Sequence, residues 1–298
     1  ATVGAMTKEL LRIAEQCDGV RCDMAMLILP DVFEKTWGRK AQSFWPETIK
    51  NVREKVPGFC FMAEVYWDME WDLQQLGFDY TYDKKLYDLL HAEHAGAARA
   101  HLHAEPSYQD KLARFLENHD EPRAASNFQP EKHEAAALIT YFATGLRFFH
   151  QGQFQGFRKR ISPHLVRGPR ETINIAIQDF YSKLMHLLKS DLFKNGRWQL
   201  IEPVSAWNGN GSWDNFIAYT WESAEGNRKL IVVNYSAYAS QCYLKLPFID
   251  LPGKQWRLKD VLGNFEYDRD GNELSSRGLY IDIAGWQYHL FDMQIVKT

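Results

Sequence analysis

Gly19-Val20-Arg21-Cys22-Asp23, running into Met24-Ala25-Met26-Leu27, is the stretch on which the reading of this chain turns. Arg21 and Asp23 are two residues apart, so on a strand both side chains point to one face. A guanidinium beside a carboxylate favours the ionised carboxylate. An Asp kept ionised at a strand end suits a nucleophile, or an anion that stabilises a cation. The same pair would also serve as a buried ion pair that only fixes a strand end, and this motif alone leaves both open.

Two later stretches favour chemistry. Phe59-Cys60-Phe61-Met62-Ala63-Glu64-Val65-Tyr66-Trp67 reads as a short buried strand ending on a carboxylate, with aromatics behind it. A Glu against apolar neighbours has its pKa raised and can stay protonated as a general acid. Ala113-Arg114-Phe115-Leu116-Glu117-Asn118-His119-Asp120 is again a short strand, now ending in Asn-His-Asp. Three strand-like runs that each end in a carboxylate are hard to explain as unrelated ion pairs. In a (β/α)8 barrel the strand C-termini converge on one site.

With these three motifs in order, the sequence resembles the α-amylase family, glycoside hydrolase family 13. Asp23 and Glu64 are 41 residues apart and Glu64 and Asp120 are 56 apart, room for one and two βα steps. Each motif is weak alone; the ordered set is specific. The resemblance runs from about Gln16 to Leu188. It implies that the Asp23, Glu64, 77–82, Asp120 and 145–153 strands are the fourth to eighth of the barrel. The expected fold is therefore α/β, the C-terminal portion of a (β/α)8 TIM barrel at residues 1–190, then an all-β antiparallel sandwich domain at 191–298.

The first three βα units of such a barrel, and the small inserted domain usual in the family, are missing from this sequence. Five parallel strands with two unpaired edges cannot close. A barrel takes about 250 residues, and about 190 precede the sandwich here. The expectation is a C-terminal part of a longer protein, whose strands one to three come from a further polypeptide segment or chain.

What the resemblance implies about chemistry is double displacement at an α-glucosidic bond of a starch-like glucan or malto-oligosaccharide. Asp23 would be the nucleophile and Glu64 the acid/base. Asp120 would bind sugar hydroxyls and strain the ring, and His119 would donate to the same sugar. Arg21 would keep Asp23 ionised and oriented. Tyr66 and Trp67 are candidates for stacking on neighbouring sugars, with core packing equally open for Trp67. No cofactor and no catalytic metal are expected; a structural calcium in the missing N-terminal part is left open. A transglycosylase would use the same residues. A non-catalytic truncated carbohydrate-binding fragment is the third reading.

Composition indicates a globular protein; aromatics can stack on sugars, but most Trp are core residues. The chain has 298 residues, 45% hydrophobic and 14% aromatic, with ten Trp. A net charge of −3 gives no pull towards nucleic acid or an anionic membrane. No apolar run approaches the ~20 residues of a transmembrane helix. Cys17, Cys22, Cys60 and Cys242 show no disulfide or zinc spacing, which points to a reducing, cytoplasmic setting.

Around the motifs, residues 1–15 read as a helix with Thr7 as its cap. Residues 30–56 read as a helical region interrupted at Pro46 and stopped by Pro57-Gly58. Lys84–His94 and 131–144 read as helices, and 171–189 as an amphipathic helix. His91, His94, His101 and His103 lack a convergent carboxylate or Cys and read as a solvated face. Arg158, Lys159, Arg160, Arg167 and Arg170 read as an exposed loop, with a clamp for an anionic sugar as the lesser alternative. The resemblance implies a carboxylate where Gln153 or Gln155 stands, a departure at this edge. Beyond Asp191 the apolar pattern changes to period two, with Gly/Asn/Ser turns.

Overall fold

The computed structural model describes residues 2–296. It divides into two compact units. The first runs to Lys85 and takes in Ala104–Arg114; the second holds Leu86–His103 and everything from Phe115 onward.

The first unit is built on four short parallel strands: β1 (Gly19–Cys22), β2 (Cys60–Ala63), β3 (Tyr80–Tyr82) and β4 (Leu112–Arg114), paired in that order. Arg21 lies opposite Met62, and Cys22 opposite Ala63. Gly19 is required by this register, since a Cβ there would lie 2.7 Å from the Cys60 carbonyl oxygen. Phe59, Phe61, Ala63, Val65 and Phe78 are fully buried with Ile49 and Val52 of the covering helix Trp45–Lys55. Along β2 the alternate residues Phe61 and Ala63 are fully buried while Cys60 and Met62 are half-buried, so one face is the drier one.

The helical region at 30–56 is two helices, Pro30–Trp37 and Trp45–Lys55. Gly38, at φ 63°, closes the first. Pro46 interrupts nothing, because it sits in the first turn of the second helix, where a missing N–H costs nothing. Thr7 does not cap the helix Thr2–Ala14; it lies inside it, and its hydroxyl donates to the Val3 carbonyl. Beside β1, an apolar cavity of about 670 Å³ is lined by Met6, Leu10 and Ile13 from this helix and by Val20, Ile28 and Phe44.

In the second unit the antiparallel strands begin at Arg197. They are β6 (Arg197–Ile201), β7 (Pro203–Ser205), β8 (Phe216–Glu222), β9 (Arg228–Asn234), β10 (Ser240–Leu244), β11 (Gln255–Asp260), β12 (Glu266–Asp270), β13 (Leu279–Ile283) and β14 (Tyr288–Ile295), after the two-residue β5 (Leu146–Arg147). One sheet has the order β12-β11-β14-β9-β8-β6 and the other β13-β10-β7. Their facing side chains, among them Ala218, Val232, Leu244, Leu258, Ile281 and Phe291, form one core.

β8 departs from simple alternation: all its residues but Glu222 are buried. Its second face meets the helix Pro130–Phe142, where the Tyr219 hydroxyl donates to the Leu138 carbonyl (2.7 Å) and Trp221 Nε1 to the Phe142 carbonyl (2.7 Å). Arg99, on the helix Ala95–Leu102, donates to the Phe216 carbonyl (2.8 Å). Both helices are thus tied to the sheet, and the second unit crosses residue 190; the change in sheet type near there is not an edge of the compact unit.

Candidate active site

Arg21 is the hub of the first unit's strand ends. It leaves β1 half-buried and reaches three groups. Nη1 donates to Asp23 Oδ1. Nη2 lies 2.9 Å from Glu64 Oε2, a close ion pair out of line for a hydrogen bond. Nε donates to the Tyr82 hydroxyl at 3.4 Å, and the guanidinium sits 5.6 Å from the Tyr82 ring centroid. Burial opposes the charge, but Tyr82, Asp23 and Glu64 outweigh it and hold Arg21 above its usual range.

Asp23 and Glu64 differ in setting. The Asp23 side chain is 78% exposed, whereas Glu64 is 3% exposed as a residue. Glu64 is not the lone carboxylate among apolar neighbours that its flanking sequence suggests. Met24 N–H donates to Oε2 (2.8 Å), the Tyr66 hydroxyl donates to Oε1 (3.0 Å), and Arg21 stands beside Oε2. Met24 can do this because its backbone is left-handed, at φ 41°. That is an uncommon conformation for a non-glycine residue, and such outliers gather at functional sites. Glu64 N–H donates to the Cys22 carbonyl and Ala25 N–H to the Glu64 carbonyl, each at 3.0 Å, so the two strand ends are laced together.

Beyond Glu64 the chain turns through Trp67 (φ 66°) and Asp68 (φ 57°), both left-handed. The turn leaves Trp67 62% exposed, so it is not a core residue. Neighbouring Asp83 follows β3 as Glu64 follows β2. It is buried and paired with the equally buried Arg114, which also donates to Gln109 Oε1. Asp83 is not singled out by the sequence reading, although Tyr80-Thr81-Tyr82-Asp83 repeats the pattern of a short strand ending in a carboxylate.

In the second unit, Asn118 Oδ1 accepts from the N–H groups of Asp120 and Glu121, both at 2.8 Å, and so turns the chain. His119 Nε2 lies 3.0 Å from Asp120 Oδ2, with both side chains part-exposed. Glu117, another carboxylate passed over, is fully buried. It accepts from Arg123 Nη1 (2.6 Å) and Ala124 N–H (2.8 Å) and lies 3.1 Å from His150 Nδ1. Arg123 also donates to the carbonyls of Gln151 (2.6 Å) and Lys159 (3.2 Å), so one buried cluster anchors the Asn-His-Asp turn and two loops.

The structure therefore brings Arg21, Asp23, Glu64 and Tyr66 together in the first unit, with Trp67 following, and His119 and Asp120 together in the second. Gln153 is buried away from solvent, and its Nε2 donates to the hydroxyls of Tyr141 (2.7 Å) and Tyr181 (2.8 Å). The basic run 158–170 is largely exposed. Among the described residues no group of three His, Cys, Asp or Glu is placed to hold a metal, and no helix is long and apolar enough to cross a membrane.

Strand ends of a parallel sheet that carry charged groups, followed by two packed antiparallel sheets, define an α/β protein with an appended β-sandwich. Solved structures of α-amylases share this fold. A maltogenic α-amylase from Thermotoga neapolitana superposes with a TM-score of 0.69 over 99% of this chain and 66% of its own, at 20% identity. An α-amylase from Geobacillus thermoleovorans, complexed with acarbose, gives 0.70 over 98% and 64%, at 17% identity. A debranching enzyme from Nostoc punctiforme gives 0.67 over 97% and 61%, at 14% identity. The chain spans a little under two thirds of these structures. No protein-family model matches the sequence, and no curated protein matches it.

Proposed function

We propose that this chain carries the carboxylates of a retaining glycoside hydrolase that acts on α-glucosidic bonds of starch-like glucans. The observation that carries this reading is one guanidinium, Arg21, contacting both Asp23 and Glu64 at adjacent strand ends. Two carboxylates on one guanidinium lie within a few ångströms of each other, the regime of retaining rather than inverting enzymes, whose carboxyls are about 5–5.5 Å apart. The structures that share the fold are α-amylases and a debranching enzyme, two of them with acarbose.

On this reading exposed Asp23 attacks the anomeric carbon, and the glycosidic C–O bond breaks as the Asp–C bond forms. Glu64 gives its proton to the leaving oxygen, then takes one from the water that cleaves the glycosyl-enzyme. Glu64 stands beside the nucleophile on the same Arg21 fork, within reach of both events. Tyr66 holds Glu64 in line, and Trp67 offers an exposed ring for a neighbouring sugar. Strands β1–β5 are then the fourth to eighth of a (β/α)8 barrel within residues 1–190, and 191–298 are the sandwich domain. A further polypeptide segment supplies strands one to three beside β1.

Transglycosylation would use the same groups, and exposed Trp67 favours it as an acceptor platform. The test is Glu64→Gln in the complete assembly. Hydrolysis of maltoheptaose should fall by about 10²–10⁴-fold, the usual worth of a general acid, while glucan binding persists. The first product seen by NMR should keep the α configuration. A fully active Glu64→Gln protein or a β product would sink the assignment.

A further inference from the structure

We infer that the basic loop at 158–170 holds a phosphate group borne by the substrate. The glucan acted on is then a phosphorylated one. From 135 to 170 the chain has no Asp or Glu, and the end of that stretch carries Arg158, Lys159, Arg160, Arg167 and Arg170. In a chain of net charge −3 this is a strong local excess. It is also unneutralised. Elsewhere Arg53, Arg114, Arg123, Arg228 and Arg257 each pair with a carboxylate. Among the described residues, none of the five loop side chains does so, and all five are exposed.

The loop is clasped at its neck, which fixes where these charges stand. Arg158 N–H donates to Glu171 Oε2 (2.8 Å) and Lys159 N–H to Glu171 Oε1 (3.1 Å). Asn174 N–H donates to the Gln155 carbonyl (3.0 Å), and Asn174 Oδ1 caps the helix Ile175–Leu188. Gly156, at φ 66°, permits this approach, since a Cβ there would lie 2.9 Å from Asn174 Cβ. A cavity of about 470 Å³ opens at the neck, lined by Arg158, Lys159, Arg170, Glu171, Thr172 and Asn174 among others. Three cations against one carboxylate leave two positive charges around it. A phosphate monoester answers them with a charge of about −1.5 to −2 and three acceptor oxygens. Guanidinium forks match those oxygens two at a time. The start of the helix turns its positive end the same way. A carboxylate ligand would leave one charge unanswered, and Glu171 already takes the two N–H groups that suit one.

The loop's anchorage says what carries the phosphate. Arg160 Nε donates to the His119 carbonyl (3.4 Å) and Arg123 Nε to the Lys159 carbonyl (3.2 Å). The loop is thereby tied to the Asn-His-Asp turn, to which the family resemblance assigns sugar hydroxyls. A sugar phosphate fits this setting better than a polynucleotide, because no aromatic ring lines the cavity to stack a base. That the sugar is a glucan rests on the hydrolase reading; the phosphate cavity does not.

The experiment is fluorescence anisotropy of end-labelled maltoheptaose, with and without one 6-phosphate, titrated with the full chain. The phosphorylated probe should bind about 10–100-fold more tightly, as hydrogen bonds to a charged group allow. The double variant Arg158→Gln, Arg170→Gln should abolish that preference and leave the plain probe unaffected. Both side chains are exposed, so the unfolding midpoint should not move. The same loss of charge in Arg39→Gln, Lys40→Gln, on the surface of the first unit, should change nothing. Phosphate preference without hydrolysis in the complete assembly supports the cavity and removes the hydrolase. Hydrolysis of maltoheptaose with equal binding of the two probes overturns the cavity and spares the hydrolase. A preference that survives the loop variant overturns the cavity too. Inorganic phosphate binding as tightly as the phosphorylated probe overturns the sugar ester as its ligand. Arginine-dependent binding to phosphatidylglycerol vesicles, with the two probes bound alike, overturns it in favour of a lipid surface.

Discussion

At the scale of the residue, Arg21 decides more than any other side chain. Its fork holds Asp23, Glu64 and the Tyr82 hydroxyl in fixed directions. A lysine offers one compact ammonium and cannot serve three groups at once. Arg21→Lys should lower kcat on maltoheptaose by about 10–100-fold, roughly 1.4–2.7 kcal/mol of barrier, with little change in KM. Steady-state kinetics of the complete assembly would check it. An unchanged kcat would reduce Arg21 to a strand-end ion pair. The two-residue spacing was enough to read the Arg21–Asp23 contact from the sequence. Tyr82, 61 positions from Arg21, was not legible, because only strand pairing brings it near. The same holds for the donors around Glu64: flanking apolar residues suggested an isolated carboxyl, while Met24 N–H and Arg21 arrive from the neighbouring strand. Gly19 is the other decisive residue. Gly19→Val would drive a side chain into the Cys60 carbonyl and should cost about 1–3 kcal/mol, as overpacking does. Denaturant midpoints would measure the loss.

Elements show why some boundaries were readable and others not. The strands are two to four residues long in β1–β5, against readings of five or more, because the charged side chains at their ends sit past the last ladder bond rather than on it. The stretch beyond Asp191 where the pattern changes to period two holds the antiparallel strands. β8 broke that pattern because the helix Pro130–Phe142 covers its outer face, a long-range fact absent from local sequence. The same helix carries a pH response. His133 is buried against the Tyr181 hydroxyl (2.8 Å), and burial pulls its pKa down to about 4 from 6.5, with the charge of Glu117 working the other way. Between those values the unfolded chain binds a proton that the folded chain does not, so stability falls as pH drops from 6.5 to 4 and this loss levels off below. The term amounts to up to about 3 kcal/mol. His133→Asn should flatten the pH dependence of the unfolding free energy in that window. An unchanged slope would mean that His133 is protonated in the folded state.

For the whole molecule, the sharpest feature is what β1 lacks. It is the first strand of its sheet, and no strand among the described residues pairs with its other side. Parallel strands are stable when covered on both faces and paired on both edges, yet the apolar cavity of about 670 Å³ lies beside β1, with Met6 48% and Ile28 36% exposed. The expectation of further strands beside β1 comes from counting βα units in the sequence. That the gap would be apolar could not be read there, since Met6, Leu10 and Ile13 read simply as one face of an amphipathic helix. A site that rests on these strand ends needs that edge filled. The chain alone should therefore bind a hydrophobic dye such as ANS and self-associate at micromolar concentration, read by light scattering after size exclusion. The double variant Met6→Lys, Ile28→Lys should suppress both, because two charges in the groove disfavour any apolar occupant. It should also block recovery of activity when the segment with strands one to three is added, whereas the unaltered chain should recover it. A monomeric, dye-silent chain that hydrolyses maltoheptaose unaided would show that β1 needs no neighbour.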